Sequence, residues 1–530
     1  MRGHGQERYV VIGEGELSPP SGPEEETAGA VGAKGASAAR LAEVPFRFTR
    51  MGPRGRPLSE QNHLKIATAM IRGGGRPTGV PSGFTYLGQF IDHDLTFDRT
   101  EVTLGDSISP ADLLQARSPS LDLDSLYGAG PLDPESAKFY SDDRHLKMGR
   151  TNAIGPDAAK DGFDLPRGLG SSAAAKRKAV IPDPRNDENL AVAQTHLAMI
   201  RFHNRVVDKL PASVPAAQRF TRARRQVVKH YQWMIRTDYL PRIVRKAVVD
   251  DVFTHGRKVF EVGVTPTDVP TMPIEFSVAA FRLGHSMVRS AYSWNRRFSN
   301  GGGSLDLLFT FSATGGNLGG DVRLPSNWIC DFRRLYEFAD TGRTDLDPPD
   351  GQANLAMRID TRLVDPLRNL PKGSIGGPVP FDDPRANLAF RNLVRGGMVK
   401  LASGQQMADR LRSKGVAVTT LTRSQILEGK NGAKLDALTS AEKDALASRT
   451  PLWFYVLREA EHNGGKLDGV GARIVAETFH RAMEGSSVSI VRDPTWRPEL
   501  GPDANTFRMV DLMLFAFEGK KTLLNPLGGS

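Results

Sequence analysis

The chain has 530 residues, a length that by itself suggests roughly three or four domains. Hydrophobic residues make up 39% of the sequence and charged residues 25%, which is ordinary for a soluble globular protein and allows a core large enough to bury a cofactor. The formal net charge is +10, but the 70 Lys and Arg residues are spread along the chain among 60 acids. Because the sequence has no concentrated basic block, we expect no nucleic-acid partner.

The sequence contains a single cysteine, Cys330, which excludes an intramolecular disulfide and a CxxC metal or redox motif. A lone thiol is compatible with a reducing compartment. Residues 1–20 lack the apolar segment of a signal peptide, and no uninterrupted apolar run approaches the roughly 18 residues that a membrane span needs. We therefore expect a cytoplasmic protein without a membrane span, unless it is exported by a route that needs no such signal.

In chain order, residues 1–44 are rich in Gly, Ala, Glu, Ser and Pro, a composition that predicts a flexible N-terminal tail. Beyond this tail, apolar residues recur mostly at helical spacing, and alternating strand patterns are scarce. The clearest helical patterns cover residues 189–210, 224–253 and 275–292. Long Gly- and Pro-rich connections separate them, and no linker divides the rest of the chain. The fold class predicted for residues 45–530 is therefore mainly α: one large helical domain with long loops and little β structure.

The segment FTYLGQFIDHDLTF (84–97) places His93 between two acids on a predicted helix. At about 100° per residue, Asp92 and Asp94 lie on opposite flanks of His93. Gln89 precedes His93 by four residues and shares its face. One face thus carries a base and an amide, with a carboxylate on each flank. Taken alone, this pattern is equally typical of a surface helix with salt-bridged acids.

A second segment, IPDPRNDENLAVAQTHLAMIRFHNRVV (181–207), opens with turn signals and carries Arg185 and Glu188 one turn apart. The order of the two segments resembles the animal-type haem peroxidases of the peroxidase–cyclooxygenase superfamily. That family has a GQxxDHD distal helix, followed by an RxxE element shortly before a helix ending in HNR. We interpret His196 and His203, which lie on this second predicted helix, as structural residues.

The resemblance implies a role for each matching residue. His93 would be the distal base that moves a proton on hydrogen peroxide, with Arg185 as the distal cation and Gln89 lining the peroxide and halide cavity. Asp92 and Glu188 match the carboxylates that form ester bonds with haem methyl groups. The chemistry suits these residue types, since neutral imidazole transfers the proton and a guanidinium stabilises charge as the O–O bond breaks.

One departure from the family pattern lies directly after Glu188. Myeloperoxidase has a methionine at that position, which forms a third, sulfonium link to the haem, whereas this chain has Asn189. A sulfonium link therefore cannot form here. The extreme oxidising strength associated with that link is not expected of this protein.

The segment SPSLDLDSLYG (118–128) resembles the calcium loop of the family. The resemblance implies oxygen ligands from Ser118, the Ser120 carbonyl, Asp122 and Asp124, with a further carboxylate from Asp94. Calcium takes six to eight oxygen ligands of these kinds. The alternative interpretation is an acidic surface turn, because DxD turns are common.

The segment AFRLGHSMV (280–288) resembles the proximal FRxGH element of the family, which makes His285 the expected ligand of the haem iron. A ligating histidine needs an acceptor for its other ring nitrogen. NLVRG (392–396) resembles the NxxRG element, so Asn392 would be that partner and Arg395 would meet a haem propionate. The RDHG continuation that is usual in the family is replaced here by GGMVK.

Arg282 lies one turn before His285, on the same face, and we include it in the haem-binding set. The cyclooxygenase branch of the superfamily has its radical tyrosine at that spacing. An arginine there favours a peroxidase over a fatty-acid dioxygenase. A dioxygenase would need another tyrosine near the haem, for which Tyr231 and Tyr292 are the open candidates.

Together the motifs predict a haem peroxidase that reduces hydrogen peroxide through a ferryl intermediate and oxidises halides or small organic donors, with a role in the response to oxidative stress. The expected cofactors are haem b, with ester links as a further possibility, and calcium. The alternatives are a haem-dependent fatty-acid dioxygenase and a catalytically silent haem protein. The intact set of His93, Arg185 and His285 argues against a silent protein.

Overall fold

The computed structural model describes residues 10–11, 15–16, 46–73, 75–100, 104–155, 162–371, 380 and 383–529. The predicted N-terminal tail lies outside the described residues apart from two short strands. These strands, β1 Val10–Val11 and β2 Gly15–Glu16, pair antiparallel.

The described part of the chain is mainly helical, which confirms the predicted fold class. Its α-helices are, in chain order, α1 Glu60–Met70, α2 Gly83–Leu95, α3 Asp124–Tyr127, α4 Ala173–Arg177, α5 Leu190–Lys209, α6 Ala216–Met234, α7 Leu240–Ile243, α8 Lys246–His255, α9 Ile274–Ser277, α10 Gly284–Met287, α11 Leu305–Thr310, α12 Leu388–Met398, α13 Gly404–Ser413, α14 Arg423–Leu427, α15 Ser440–Ser448, α16 Leu452–His462, α17 Gly469–Glu484, α18 Met509–Ala516 and α19 Lys521–Leu524. Short 3₁₀ turns connect many of them.

The β structure of the described residues consists of isolated two-stranded pairs. The remaining strands are β3 Phe48–Thr49, β4 Pro77–Pro81, β5 Gly149–Arg150, β6 Phe163–Asp164, β7 Met272–Pro273, β8 Ala291–Tyr292, β9 Gly303–Ser304 and β10 Leu355–Met357. β3 pairs with β7 in parallel, with Phe48 opposite Met272. β4 with β10, β5 with β6 and β8 with β9 are antiparallel. The prediction of little β structure is therefore confirmed.

The centre of the fold is the packing of α2 against α5. α5 begins where the Asn189 side chain accepts a hydrogen bond from the Val192 amide and so caps the helix. Almost every residue of α5 up to Val207 is buried, as is nearly all of α2. A helix that is enclosed on all sides belongs to the interior of a large domain. Polar side chains on α2 are consequently held away from water.

Two of the ranges with helical apolar spacing each contain several helical elements. The pattern over 224–253 gives α6, then a π-helical turn at Ile235–Tyr239, then α7 and α8. The pattern over 275–292 gives α9, a 3₁₀ turn at Ala280–Leu283 and α10. Ala279, with φ −136° and ψ −75°, interrupts the second pattern. Apolar spacing indicates a buried face but not the local backbone bends that tertiary packing imposes.

None of the helices in the described ranges combines the length and the apolar character that crossing a lipid bilayer requires.

Candidate active site

A cavity with an empty volume of about 620 Å³ lies between α2 and the segment that carries His285. Gln89 and Asp92 of α2 line one side, and Arg282 and His285 line the other. Tyr86, Gly88, Asn189, Tyr239, Phe281 and Met287 are among the other lining residues. The structure thus brings together motifs that are almost 200 residues apart in sequence.

His93 is completely buried beside this cavity. Its Nδ1 lies 2.9 Å from the Asn186 amide oxygen, so Nδ1 donates its proton there and Nε2 is left as the free, basic nitrogen. Nε2 has no hydrogen-bond partner among the described residues, and its nearest carboxylate oxygen, on Glu188, is 3.6 Å away. Burial, followed by the positive charge of Arg185, lowers the pKa of His93 to about 3. The ring is therefore neutral at physiological pH, as a base must be.

Arg185 is held rigidly against the end of α2. Its Nε donates to Asp183 at 3.0 Å and its Nη2 donates to the other oxygen of the same carboxylate at 2.7 Å. Nη2 also donates to the His93 carbonyl at 2.9 Å, and the guanidinium lies 4.4 Å from the centre of the Phe97 ring. Nη1 alone has no partner in the described part of the chain. The arrangement fixes the guanidinium and leaves one donor free.

Asp183 serves as the clamp for two arginines. Besides Arg185, it accepts a hydrogen bond from Arg117 at 2.7 Å. Although burial works in the opposite direction, Arg185 and Arg117 hold the pKa of this carboxyl far below its ordinary value. Asp183 therefore remains charged and keeps Arg185 in place. Asp183, Arg117 and Asn186 were not predicted from the sequence; the position of Asp183 directly before the predicted Arg185 turn was the available signal.

Asp92 and Glu188 are both buried carboxyls with one oxygen that has no partner in the described residues. Burial raises the pKa of Asp92 to about 6 and that of Glu188 well above its ordinary value. Asp92 lines the cavity, whereas Glu188 lies behind Gln89 and accepts a hydrogen bond from its amide. Asn189 donates to the Gln89 oxygen at 3.0 Å. Gln89 and Glu188 are thus hydrogen-bonded to each other. Glu188, His93 and Arg185 are not among the residues that line the cavity.

On the proximal side, the structure brings together His285 and Asn392. The amide nitrogen of Asn392 lies 2.7 Å from Nδ1 of His285, and its oxygen accepts a hydrogen bond from Nη1 of Arg282 at 2.6 Å. In this arrangement the amide donates to Nδ1, which places the ring proton on Nε2. A half turn of the amide exchanges its oxygen and nitrogen. The orientation of Asn392 therefore determines which nitrogen of His285 is free.

Arg395, the residue predicted to meet a haem propionate, forms an ion pair with Asp98. Asp98 follows α2 and also accepts a hydrogen bond from the Thr100 amide at 3.0 Å. Arg395 thus ties α12 to the end of the distal segment. Its role toward a propionate stays a prediction.

The predicted calcium loop packs directly against α2. Asp94 accepts hydrogen bonds from the Leu123 amide at 3.2 Å, the Ser125 amide at 3.1 Å and the Ser125 hydroxyl at 3.0 Å. Burial, followed by the neighbouring charge of Asp124, raises the pKa of Asp94 to about 7. The loop and the distal helix are thus connected through Asp94, as the sequence suggests.

The other predicted calcium ligands are not gathered into one cluster. Asp122 accepts hydrogen bonds from the amide and hydroxyl of Ser487, the latter at 2.7 Å, and Asp124 lies 3.4 Å from Arg224. The Ser120 hydroxyl donates to the Gly485 carbonyl at 3.4 Å, and Ser118 is half-buried. Within the described ranges, no group of three or more His, Cys, Asp or Glu side chains is arranged to hold a metal ion. The calcium ligand set stays a prediction.

The two helix histidines that we interpreted as structural differ from each other. His203 contacts the Tyr127 hydroxyl at 3.0 Å and the Arg144 carbonyl at 2.8 Å, as a packing residue does. His196 packs edge-on against Phe90 of α2, at 5.6 Å between ring centres, and neither of its nitrogens has a partner in the described residues. Its burial lowers its pKa to about 3.

The two tyrosines considered for a dioxygenase do not line the cavity. Tyr292 accepts a hydrogen bond from the Tyr86 hydroxyl at 2.7 Å, and only Tyr86 of this pair reaches the cavity. Tyr239, which the sequence did not single out, also lines the cavity. It lies so close to Gly88 that a Cβ at that position would come within 2.3 Å of its hydroxyl.

Solved structures with a similar fold include both peroxidases and dioxygenases. Peroxidase A from Dictyostelium discoideum superposes with a TM-score of 0.57 at 16% identity, covering 91% of this chain and 94% of that chain. Fatty acid alpha-dioxygenase from Oryza sativa gives 0.53 at 13% identity, covering 91% of this chain and 80% of that chain. This chain therefore shares its overall fold with these two proteins.

A sequence match identifies the family of one part of the chain. Residues 80–315 match the family model for animal haem peroxidase, a region that includes His93, Arg185 and His285. The match covers somewhat less than half of the chain.

Curated relatives share only part of their length with this chain. Heme peroxidase 2 from Caenorhabditis elegans is 26% identical over 196 residues, which are 35% of this chain and 26% of the relative. Thyroid peroxidase from Canis lupus familiaris is 28% identical over 195 residues, which are 34% of this chain and 20% of the relative. The chain thus spans about a quarter or less of the length of the curated relatives it matches.

Proposed function

We propose that this protein is a haem peroxidase that reduces hydrogen peroxide and oxidises a halide or a small organic donor. The observation that carries the proposal is the distal pair: His93 is neutral with a free Nε2, and Arg185 is clamped with a free Nη1. His93 follows Asp92, which lines the cavity, and Arg185 donates a hydrogen bond to the His93 carbonyl; His285 lines the same cavity. A base, a cation and an iron ligand around one space are the parts that peroxide cleavage needs.

The residues around the cavity suit haem. His285 offers a ring nitrogen to iron, while Asp92 and Glu188 offer carboxylate oxygens that no described residue satisfies. A buried polar atom without a hydrogen-bond partner destabilises the folded protein, and a bound group that interacts with these oxygens would remove that destabilisation. When bound, haem would supply the redox chemistry, taking two oxidising equivalents from peroxide and passing them to the donor.

His93 would act as the proton carrier. Its Nε2 accepts a proton from hydrogen peroxide and then donates it to the departing oxygen. The hydrogen bond from Nδ1 to Asn186 keeps the required tautomer and ring orientation. Because the pKa of His93 is about 3, the ring stays unprotonated and ready over the whole neutral range.

Arg185 would stabilise the negative charge that develops on the departing oxygen. Its free Nη1 is the donor for this task, and the Asp183 carboxylate holds the other nitrogens fixed. A donor that is fixed before the reaction costs no reorganisation during it.

His285 would bind iron through Nε2, which requires the ring proton to lie on Nδ1 and to be donated to an acceptor. The Asn392 oxygen becomes that acceptor when its amide makes the half turn described above. The half turn removes the oxygen that now accepts from Nη1 of Arg282, and a carboxylate of the cofactor, such as a propionate, would take its place as acceptor, while Nε of Arg282 keeps its bond to the Ser277 carbonyl. Arg395 is a second candidate for a propionate.

We also propose a calcium ion beside Asp94. Asp94 and Asp124 are close enough for the charge of one to raise the pKa of the other, and a divalent cation between loop and helix would compensate that charge. Elemental analysis of the purified protein should find one calcium per chain, and Asp94→Asn should abolish it. Full peroxidase activity with no calcium at saturating concentrations would refute this part of the proposal.

The central experiment is stopped-flow absorbance of the haem-loaded protein with hydrogen peroxide, followed by turnover with bromide, iodide, thiocyanate and phenols. We expect rapid oxidation of the haem and steady turnover with at least one donor. Oxygen uptake with an unsaturated fatty acid, without turnover of any donor, would instead support the dioxygenase alternative. A Soret band with neither reaction would indicate a silent haem protein.

A further inference from the structure

A second cavity, with an empty volume of about 420 Å³, lies next to the proximal side of the site. It shares no lining residue with the first cavity, but Asn392, the partner of His285, is part of its wall. The proposed peroxidase function does not use this space. It is formed by the residues around Leu58, by α12 and by the start of α16.

The second cavity carries positive charge that no described group neutralises. Arg56 and Arg449 line it, and neither guanidinium has an ion pair or hydrogen bond among the described residues; Nε of Arg449 is itself buried. His63 also lines it, with only 4% of its surface exposed, and its ring makes no hydrogen bond within the described ranges. No Asp or Glu is found among the described residues of the wall. Arg56 is exposed and Arg449 is half-buried, whereas the Nε atom of Arg449 and the His63 side chain are buried. Buried polar groups normally have hydrogen-bond partners, and a ligand in the cavity would supply them.

The rest of the wall is mainly apolar. Leu58, Val278 and Leu393 contribute aliphatic surface, and Trp453 contributes an aromatic ring. The space is kept open by Gly397, where a Cβ would lie 3.3 Å from Cβ of Pro57 and 3.4 Å from a ring carbon of His63. Gly397 belongs to the GGMVK stretch in which this sequence departs from the family pattern.

We propose that this cavity binds a small organic carboxylate, a carboxyl group carried by a short apolar body. The carboxylate would interact with Arg56 and Arg449, for which charge-assisted hydrogen bonds are the strongest available contacts. The apolar body would lie against the leucine and tryptophan surface, which an inorganic anion would leave uncovered.

Two residues of the cavity wall, Asn392 and Trp453, also contact His285, and Trp453 packs edge-on against its ring at 6.3 Å between ring centres. Asn392 contacts both the cavity and Nδ1 of His285. A ligand that shifts the Asn392 amide changes the hydrogen bond on which the position of His285 depends. The second cavity would thus be an effector site for the proximal histidine, separate from the cavity in which peroxide reacts.

Isothermal titration calorimetry of the haem-loaded full-length protein with hexanoate tests the proposal. We expect saturable binding of hexanoate, no binding of 1-hexanol at the same concentration, and binding of inorganic phosphate at least tenfold weaker. Binding should be accompanied by a small shift of the Soret band. No heat with hexanoate, or equally tight binding of phosphate or hexanol, would overturn the proposal.

Variants locate the site. Arg449→Met and Arg56→Met should each weaken hexanoate binding by about ten- to a hundredfold, the range expected for a lost charged hydrogen bond. Gly397→Leu should block binding by filling the space.

Arg72→Met, at an exposed arginine outside the cavity wall, is the matched control and should bind normally. Equal affinities of the Arg56, Arg449 and Arg72 variants would contradict the assignment. Calorimetry needs no turnover, so its result is independent of whether the peroxidase proposal succeeds.

Discussion

The distal and proximal sides of the cavity are built in different ways. The distal groups lie on one 13-residue helix and the turn before α5, and the clamp of Asp183 on Arg185 and Arg117 fixes them. His285, the proposed iron ligand, lies on a four-residue helix and meets Asn392, which is 107 residues away in sequence. On the distal side, Nε2 of His93 and Nη1 of Arg185 have no partner among the described residues, whereas His285, Asn392 and Arg282 are hydrogen-bonded to one another. In our proposal the distal side is therefore preorganised, whereas the proximal side exchanges hydrogen bonds when haem binds.

The sharpest test of the proximal side is the variant His285→Ala. It should abolish high-affinity haem binding or the five-coordinate iron spectrum, because His285 is the only histidine among the described residues that line the cavity. Titration with haem, followed through the Soret band, measures the effect. His255→Ala removes a highly exposed histidine and should leave binding unchanged. A normal Soret band together with full activity in the His285 variant would disprove the assignment.

Changes on the distal side should leave haem binding intact and slow the reaction with peroxide. We expect His93→Gln and Arg185→Gln each to reduce the rate of haem oxidation by about a hundred- to ten-thousandfold, since each removes a positioned proton carrier or a charge stabiliser. Stopped-flow absorbance gives the rate, and the unreacted Soret band reports haem retention. Unchanged rates, or loss of haem in both variants, would contradict the division between the two sides.

The two candidate ester positions should differ in how readily they react. Asp92 lines the cavity and Glu188 lies behind Gln89, so we expect the Asp92 bond to form first and the Glu188 bond only after prolonged peroxide treatment. Acid–butanone extraction measures the linked fraction, and Asp92→Asn and Glu188→Gln should each remove one bond. Complete extraction of haem from wild-type protein after peroxide treatment would refute ester formation. A sulfonium adduct should be absent, because Asn189 contains no sulfur.

A smaller effect concerns the helix that supports the distal side. The folded pKa of His196 is about 3, below its ordinary value of 6.5, so at pH 5 the unfolded chain binds a proton that the folded chain does not. As the pH drops below about 6.5, His196 therefore lowers the free energy of unfolding, and at pH 5 this loss relative to neutral pH is about 2 kcal/mol. Urea unfolding at pH 7.5 and pH 5 should show a smaller loss of stability for His196→Phe than for wild type. Identical losses would show that His196 does not titrate in this way.

Several features of the site were predictable from sequence because they depend on local spacing. Helical periodicity places Gln89 and His93 on one face and their flanking acids beside them, and α2 has this geometry. The pairing of His285 with Asn392 was predicted only through the resemblance to a family, since no local pattern links residues so far apart. The break at Ala279 in the segment before His285 is not visible in the helical spacing of its apolar residues.

The sequence by itself determined the mainly helical fold, the buried faces of the helices and the identity of the chemical groups, because these follow from residue type and short-range periodicity. Tertiary structure alone decided that Asp183 clamps Arg185, that Asn186 sets the tautomer of His93 and that Glu188 stands behind Gln89. It also decided that Asn392, which lines the second cavity, contacts His285, which lines the first. The reason is physical: burial and contacts between distant segments set pKa values and hydrogen-bond partners, and neither is encoded in the spacing of residues along the chain.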